Sequence, residues 1–129
     1  MDKIQVIPLK SVGEIHFGMK REEVRDILGV EAKEFRKTKF SANTTDDYGF
    51  CHVYYNSNDE CEAVEIFDEI QVSVGGNIIF PGGLENAKNL ISDFEEECGT
   101  YISKSNSIGI YAPTGKLESI LFGVRGYYE

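Results

Sequence analysis

Two stretches of the chain carry apolar residues at helical spacing, and most of the rest alternates like strand. Ile15 and Phe17 alternate with Glu14 and His16, the pattern of a half-buried strand. Val24, Ile27 and Leu28 stand at i, i+3 and i+4, which predicts a helix over Lys20 to Leu28 with one apolar face. Gly29 is placed to end it in a left-handed cap. Leu84, Ala87, Ile91, Phe94 and Cys98 form a second stripe, closed by Gly99, and predict a helix of about four turns. The charged stretch Ala32 to Phe40 suits an edge strand. Tyr48 to Tyr55 and Glu60 to Phe67 read as a hairpin around Asn56-Ser57-Asn58-Asp59. Tyr101 to Ser105, Ile108 to Tyr111 and Lys116 to Val124 read as further strands, and Ser41 to Asp47 as a polar loop.

The chain also matches itself. At an offset of 63, GEIHFGMKREEVRDIL from Gly13 falls on GNIIFPGGLENAKNLI from Gly76, with Gly13/Gly76, Ile15/Ile78, Phe17/Phe80 and Glu22/Glu85 identical. At an offset of 56, Tyr55 falls on Tyr111, Glu62 on Glu118, Val64 on Ile120 and Ile66 on Phe122. The expectation is one α+β domain over 1–129, made of two tandem strand-helix-strands repeats of about 1–70 and 71–129. Its two helices would pack on a mainly antiparallel sheet.

Composition narrows the function. Lys plus Arg number 13 and Asp plus Glu 22, a net charge of −9. That balance disfavours nucleic acid and anionic membranes, both of which select cations, and suits a basic protein partner. The N-terminal MDKIQVIPLK has no apolar core of a signal peptide, and no run approaches a membrane span. Three cysteines, Cys51, Cys61 and Cys98, without a secretion signal point to free thiols in a reducing cytoplasm. Pairing Tyr55 with Glu60 would set Cys51 opposite Val64, three residues from Cys61 and out of reach of a bridge.

No catalytic or metal motif emerges. His16 and His52 are the only histidines, with no CxxC or HExxH, so no zinc site is expected. Asn56 to Glu60 lacks the glycine and glutamate that a calcium loop needs, since Cys61 and Phe67 occupy those places. Gly82-Gly83 precedes a helix without the Lys-Ser/Thr of a phosphate loop. Neither cofactor nor enzymatic activity is expected.

The stretch Val12-Gly13-Glu14-Ile15-His16-Phe17-Gly18-Met19, followed by Arg21-Glu22-Glu23-Val24-Arg25-Asp26-Ile27-Leu28-Gly29, resembles the helix-plus-sheet repeat of the BamE and beta-lactamase-inhibitor-protein type. The tandem copies and the ending Lys116-Leu117-Glu118-Ser119-Ile120 through Gly126-Tyr127-Tyr128-Glu129 resemble small bacterial immunity proteins of contact-dependent inhibition and related polymorphic toxin systems. The resemblance implies a cytoplasmic immunity protein that blocks a cognate toxin, with a basic nuclease as the expected target. The alternative it implies is a BamE-like assembly module unrelated to toxins. It transfers no binding residues.

Those are read from charge. Residues 1–40 carry a net +2 and residues 41–129 a net −11. Asp59, Glu60, Glu62, Glu65, Asp68 and Glu69 form a run without a cation, near Asp46 and Asp47. The expected partner-binding surface is therefore Asp46, Asp47, Asp59, Glu60, Glu62 and Glu65, with Tyr48 and Tyr54 as aromatic anchors.

Overall fold

The structure is a computed structural model that describes residues 3–29, 31–36, 38–39, 43–67, 70–80 and 84–128. Among them are thirteen strands and two short helices. The expected α+β arrangement of two helices on one sheet is overturned: the fold is β-rich, with sheets of five and eight strands.

Ile4 and Val6 alternate inward along β1 (Lys3–Ile7), a strand not among those expected from the sequence. β1 pairs antiparallel with β2 (Ser11–Val12), which pairs with β3 (Ile15–His16). On its other side β1 runs parallel to β8 (Gln71–Val74), which turns into β9 (Asn77–Phe80). The second sheet has two meanders. One is β4 (Lys33–Phe35), β5 (Thr45–Asp47), β6 (Cys51–Tyr55) and β7 (Cys61–Phe67). The other is β10 (Glu95–Glu97), β11 (Thr100–Ser103), β12 (Ile108–Tyr111) and β13 (Ser119–Gly123). β13 and β7 join them antiparallel at the centre, so the order β10-β11-β12-β13-β7-β6-β5-β4 is symmetric. Glu65 and Leu121, equivalent at the offset of 56, lie directly opposite each other, where a two-fold axis relating two copies would cross the sheet. In the smaller sheet β1 interrupts the matching symmetry by sitting between the hairpins β2–β3 and β8–β9.

One core joins the two sheets: Ile4, Val6, Val72 and Val74 from the smaller, with Val53, Val64, Ile66, Ile110, Ile120 and Phe122 from the larger. Helix α1 (Arg21–Leu28) adds Val24, fully buried, whereas Ile27 and Leu28 are half-buried. Gly29 caps α1 at φ 64°, its N–H donating to the Arg25 carbonyl.

Helix α2 spans only Leu84–Leu90, and the rest of the predicted stripe leaves it. Continuing it would stack Asp93, Glu95, Glu96 and Glu97 on the negative end of the helix dipole. Instead Asp93 accepts hydroxyl hydrogen bonds from Ser103 and Ser105, Phe94 packs edge-on to Tyr101, and the glutamates form edge strand β10. Gly99 is not a helix cap: with Cys98 it forms a two-residue hairpin turn, both at positive φ, and a Cβ on it would lie 2.6 Å from Pro113 Cα. Part of the expected loop is also corrected, since Thr45–Asp47 is strand β5. Ser41, Asp68, Glu69, Gly82 and Gly83 lie outside the described residues. The β6–β7 register breaks between Tyr54 and Tyr55, so Tyr55 meets Cys61 and Cys51 meets Ile66 rather than Val64. Cys51 and Cys61 are buried and unbridged.

Candidate interaction surface

The predicted surface divides into two places. Asp46 is not on the surface at all: β5 points it inward, opposite Val53, with no exposed area. Arg25 grips it with both a 2.8 Å bond from Nε to Oδ2 and a 2.7 Å bond from Nη2 to Oδ1. This paired geometry raises the Arg25 pKa still further above its ordinary value. Arg21, also buried, donates to Asp46 at 3.1 Å, Glu34 at 2.8 Å, Asp59 at 2.9 Å, Asn43 at 3.1 Å, and the Thr44 hydroxyl and carbonyl at 3.0 Å. Its guanidinium lies 4.2 Å over the Tyr55 ring. Two arginines of the first helix thus pair with Asp46 and Asp59 within the same molecule.

Asp59 and Glu60 belong to this framework. Burial alone would raise the Asp59 carboxyl; hydrogen bonding from Asn43 and the Arg21 charge outweigh it and hold its pKa below the ordinary value. Glu60 stands 3.7 Å from the Lys20 amine. Tyr48 is half-buried against the core, and burial pushes its hydroxyl up to about 12. Asp59 and Glu60 are therefore ion-paired within the molecule, with side chains still 51% and 36% exposed. The sequence signal for Arg21 was missed because the arginine is 38 residues from Asp59 and 25 from Asp46.

The second place is the outer face of the eight-stranded sheet. Strand alternation brings Asp47, His52, Tyr54, Ala63 and Glu65 to this side, because Tyr54 and Ala63 pack away from the main core. His52 Nε2 lies 3.4 Å from Asp47, and the His52 ring stacks edge-on between Phe35 and Phe67, at 5.1 and 4.6 Å. Tyr54 donates its hydroxyl to Glu65 Oε1 at 2.6 Å, and Ser119 donates to Oε2 at 3.0 Å. Burial, and then this bond to Glu65, raise the Tyr54 pKa.

The C-terminal Tyr127 and Tyr128 fold onto the same face, packed edge to face at 5.2 Å. Two glycines make room for them: a Cβ at Gly123 would lie 2.8 Å from Tyr127 Cβ, and one at Gly109 would lie 2.0 Å from the Tyr128 hydroxyl. Burial, then the Glu62 and Glu65 charges, push Tyr127 up to about 12. Half-buried Glu62 has its own carboxyl raised by burial. Of the predicted residues, then, Asp47, Tyr54 and Glu65 share one face, Tyr54 buried in it against the terminal tyrosines, with Glu62 beside Tyr127. Phe35, His52, Tyr111 and the two terminal tyrosines complete it. The repeated Tyr-Tyr at the chain end was the available signal.

Among the described residues no group of three or more His, Cys, Asp or Glu is placed to hold a metal ion. Burial pushes the Cys51 and Cys61 thiols up to about 12, which makes them poor nucleophiles. Among the described residues no helix is long and apolar enough to cross a membrane. Comparison with known protein families, curated proteins and solved structures finds no match to the chain.

Proposed function

We propose that the chain is a cytoplasmic immunity protein that binds a basic bacterial toxin domain, a nuclease being the class its charge suits best, and blocks it. The observation that carries this reading is the outer sheet face, where the half-buried Tyr127 and Tyr128 pack over buried Tyr54 beside the Glu65 carboxylate. Tyrosine rings give a binding surface large rigid area with few rotors to freeze, and their hydroxyls add specificity. The net charge of −9 steers a cationic partner towards the molecule. The resemblance of Gly13 to Gly29 to the BamE and beta-lactamase-inhibitor-protein repeat supports a binding role in the same way.

The test is direct. The C-terminal domain encoded by the gene upstream is titrated with this protein by calorimetry, and the two are co-expressed. A saturable complex that restores growth supports the proposal. Absence of binding, or growth arrest unchanged by co-expression, overturns it.

A further inference from the structure

The Glu65 carboxylate sits in an unusual position for a charge. It lies opposite Leu121 at the centre of the large sheet, on the face away from the main core. Among the described residues no Lys or Arg nitrogen comes within 4.0 Å of it, in contrast to Asp46, Asp59 and Glu60. Its two hydrogen bonds come from the neutral hydroxyls of Tyr54 and Ser119, one to each oxygen. A carboxylate has about four lone-pair directions, so acceptor capacity is left over.

Beside it opens a cleft of about 210 Å³, lined by Glu65, Thr100, Tyr111, Ser119, Leu121 and Tyr128. For scale, an apolar cavity of about 150 Å³ takes up benzene. Gly109 keeps the cleft's wall low, since Tyr128 occupies the space any side chain there would need. Tyr111 is 48% exposed, so one wall faces solvent.

The chemistry selects the occupant. An anion would be repelled by Glu65. An apolar side chain would strip water from the carboxylate and give nothing back, which is costly. A cation gains from the carboxylate and from the electron-rich faces of tyrosine rings. We infer that this cleft receives one lysine or arginine side chain of the basic partner, with Glu65 as its counter-ion and Tyr111 and Tyr128 flanking it. The inference rests on the protein-binding reading of this sheet face and names the contact that anchors it.

It is tested on the full chain by NMR, with N-acetyl-lysine methylamide and N-acetyl-arginine methylamide as probes and the uncharged N-acetyl-norleucine methylamide as control. The expected result is a saturable shift of the Gly109, Tyr111 and Leu121 amides by at least one cationic probe and none by the control. Glu65→Gln, which preserves shape, should weaken the cation about tenfold, the effect of one lost charge-assisted contact. Tyr111→Ser, at an exposed position, serves as a second variant and should weaken it a few-fold while leaving the remaining spectrum in place. Equal shifts by norleucine, or unchanged affinity in both variants, overturn the inference. If the toxin domain binds and Glu65→Gln leaves its affinity intact, this inference fails while the proposed function stands. If the cationic probe binds but no toxin domain does, the proposed function fails instead.

Discussion

Replacing Arg21 by Met is the most demanding test of the fold's internal charge balance. The substitution keeps an unbranched side chain of similar reach but removes every polar contact of the guanidinium, bonds to Glu34, Asn43, Thr44, Asp46 and Asp59. Asp46, with no exposed surface, is then left with Arg25 alone, whose side chain is 40% exposed. Breaking a buried ion pair by deleting one partner costs about 3–5 kcal/mol, because the remaining charge stays desolvated. Against a total stability of about 5–15 kcal/mol, that is a large share. It corresponds to a fall in Tm of about 10–20 °C for a chain of this size. Urea unfolding followed by circular dichroism measures it, with an unchanged m-value confirming that the same state unfolds. The double variant Arg21→Met/Asp46→Leu should cost less than the sum of the two single variants by about 0.5–3 kcal/mol, since the buried carboxylate that loses Arg21 is itself removed and Arg25, 40% exposed, keeps access to water. A loss below about 1 kcal/mol for Arg21→Met, or strict additivity, would refute the argument.

Three further outcomes follow from burial and geometry. Ile120→Ala, at a fully buried position of β13, should cost about 2–5 kcal/mol by thermal or urea unfolding, whereas Leu28→Ala, at a half-buried position, should cost less. Burial raises the Glu62 carboxyl above its ordinary value of 4.5, so its ionisation opposes folding as pH rises through that region. Glu62→Gln should therefore be more stable than the parent at pH 7, with the advantage gone below about pH 4 in a pH series of melts. Gly109→Ala should leave the strand intact but displace the Tyr128 ring, seen as a change in tyrosine near-ultraviolet circular dichroism with far-ultraviolet signal unchanged.

Local signals were the legible ones. The Gly29 cap, the edge position of Lys33–Phe35 and the strands around Asn56–Asp59 follow from spacing over a few residues. The offsets of 63 and 56 place β3 on β9 and β7 on β13, equivalent places in the two sheets. What sequence spacing hides is which sheet a strand enters: nothing in the alternation of Ile4 and Val6 says that β1 will lie parallel to β8 in a separate layer. The long apolar stripe from Leu84 to Cys98 misled because helical spacing over its second half is outweighed by four carboxylates that a helix end disfavours. Charge misled in the opposite sense. Asp46 and Asp59 look like unpaired carboxylates until Arg21 and Arg25, far away along the chain, are folded against them, with Asp46 alone of the two buried. Ring and charge point to Tyr54 and Glu65 separately, and the sheet brings them together by cross-strand pairing.

The central claim is that partner recognition lies on the outer face of the eight-stranded sheet and not on the acidic hairpin. Calorimetric titration of the proposed toxin partner against two variants tests it most directly. Glu65→Gln should weaken the complex about tenfold or more, and Lys20→Gln/Glu60→Gln, which removes the exposed hairpin ion pair, should bind like the parent. The reverse pattern, with Glu65→Gln binding like the parent and the hairpin variant weakened, would contradict the account.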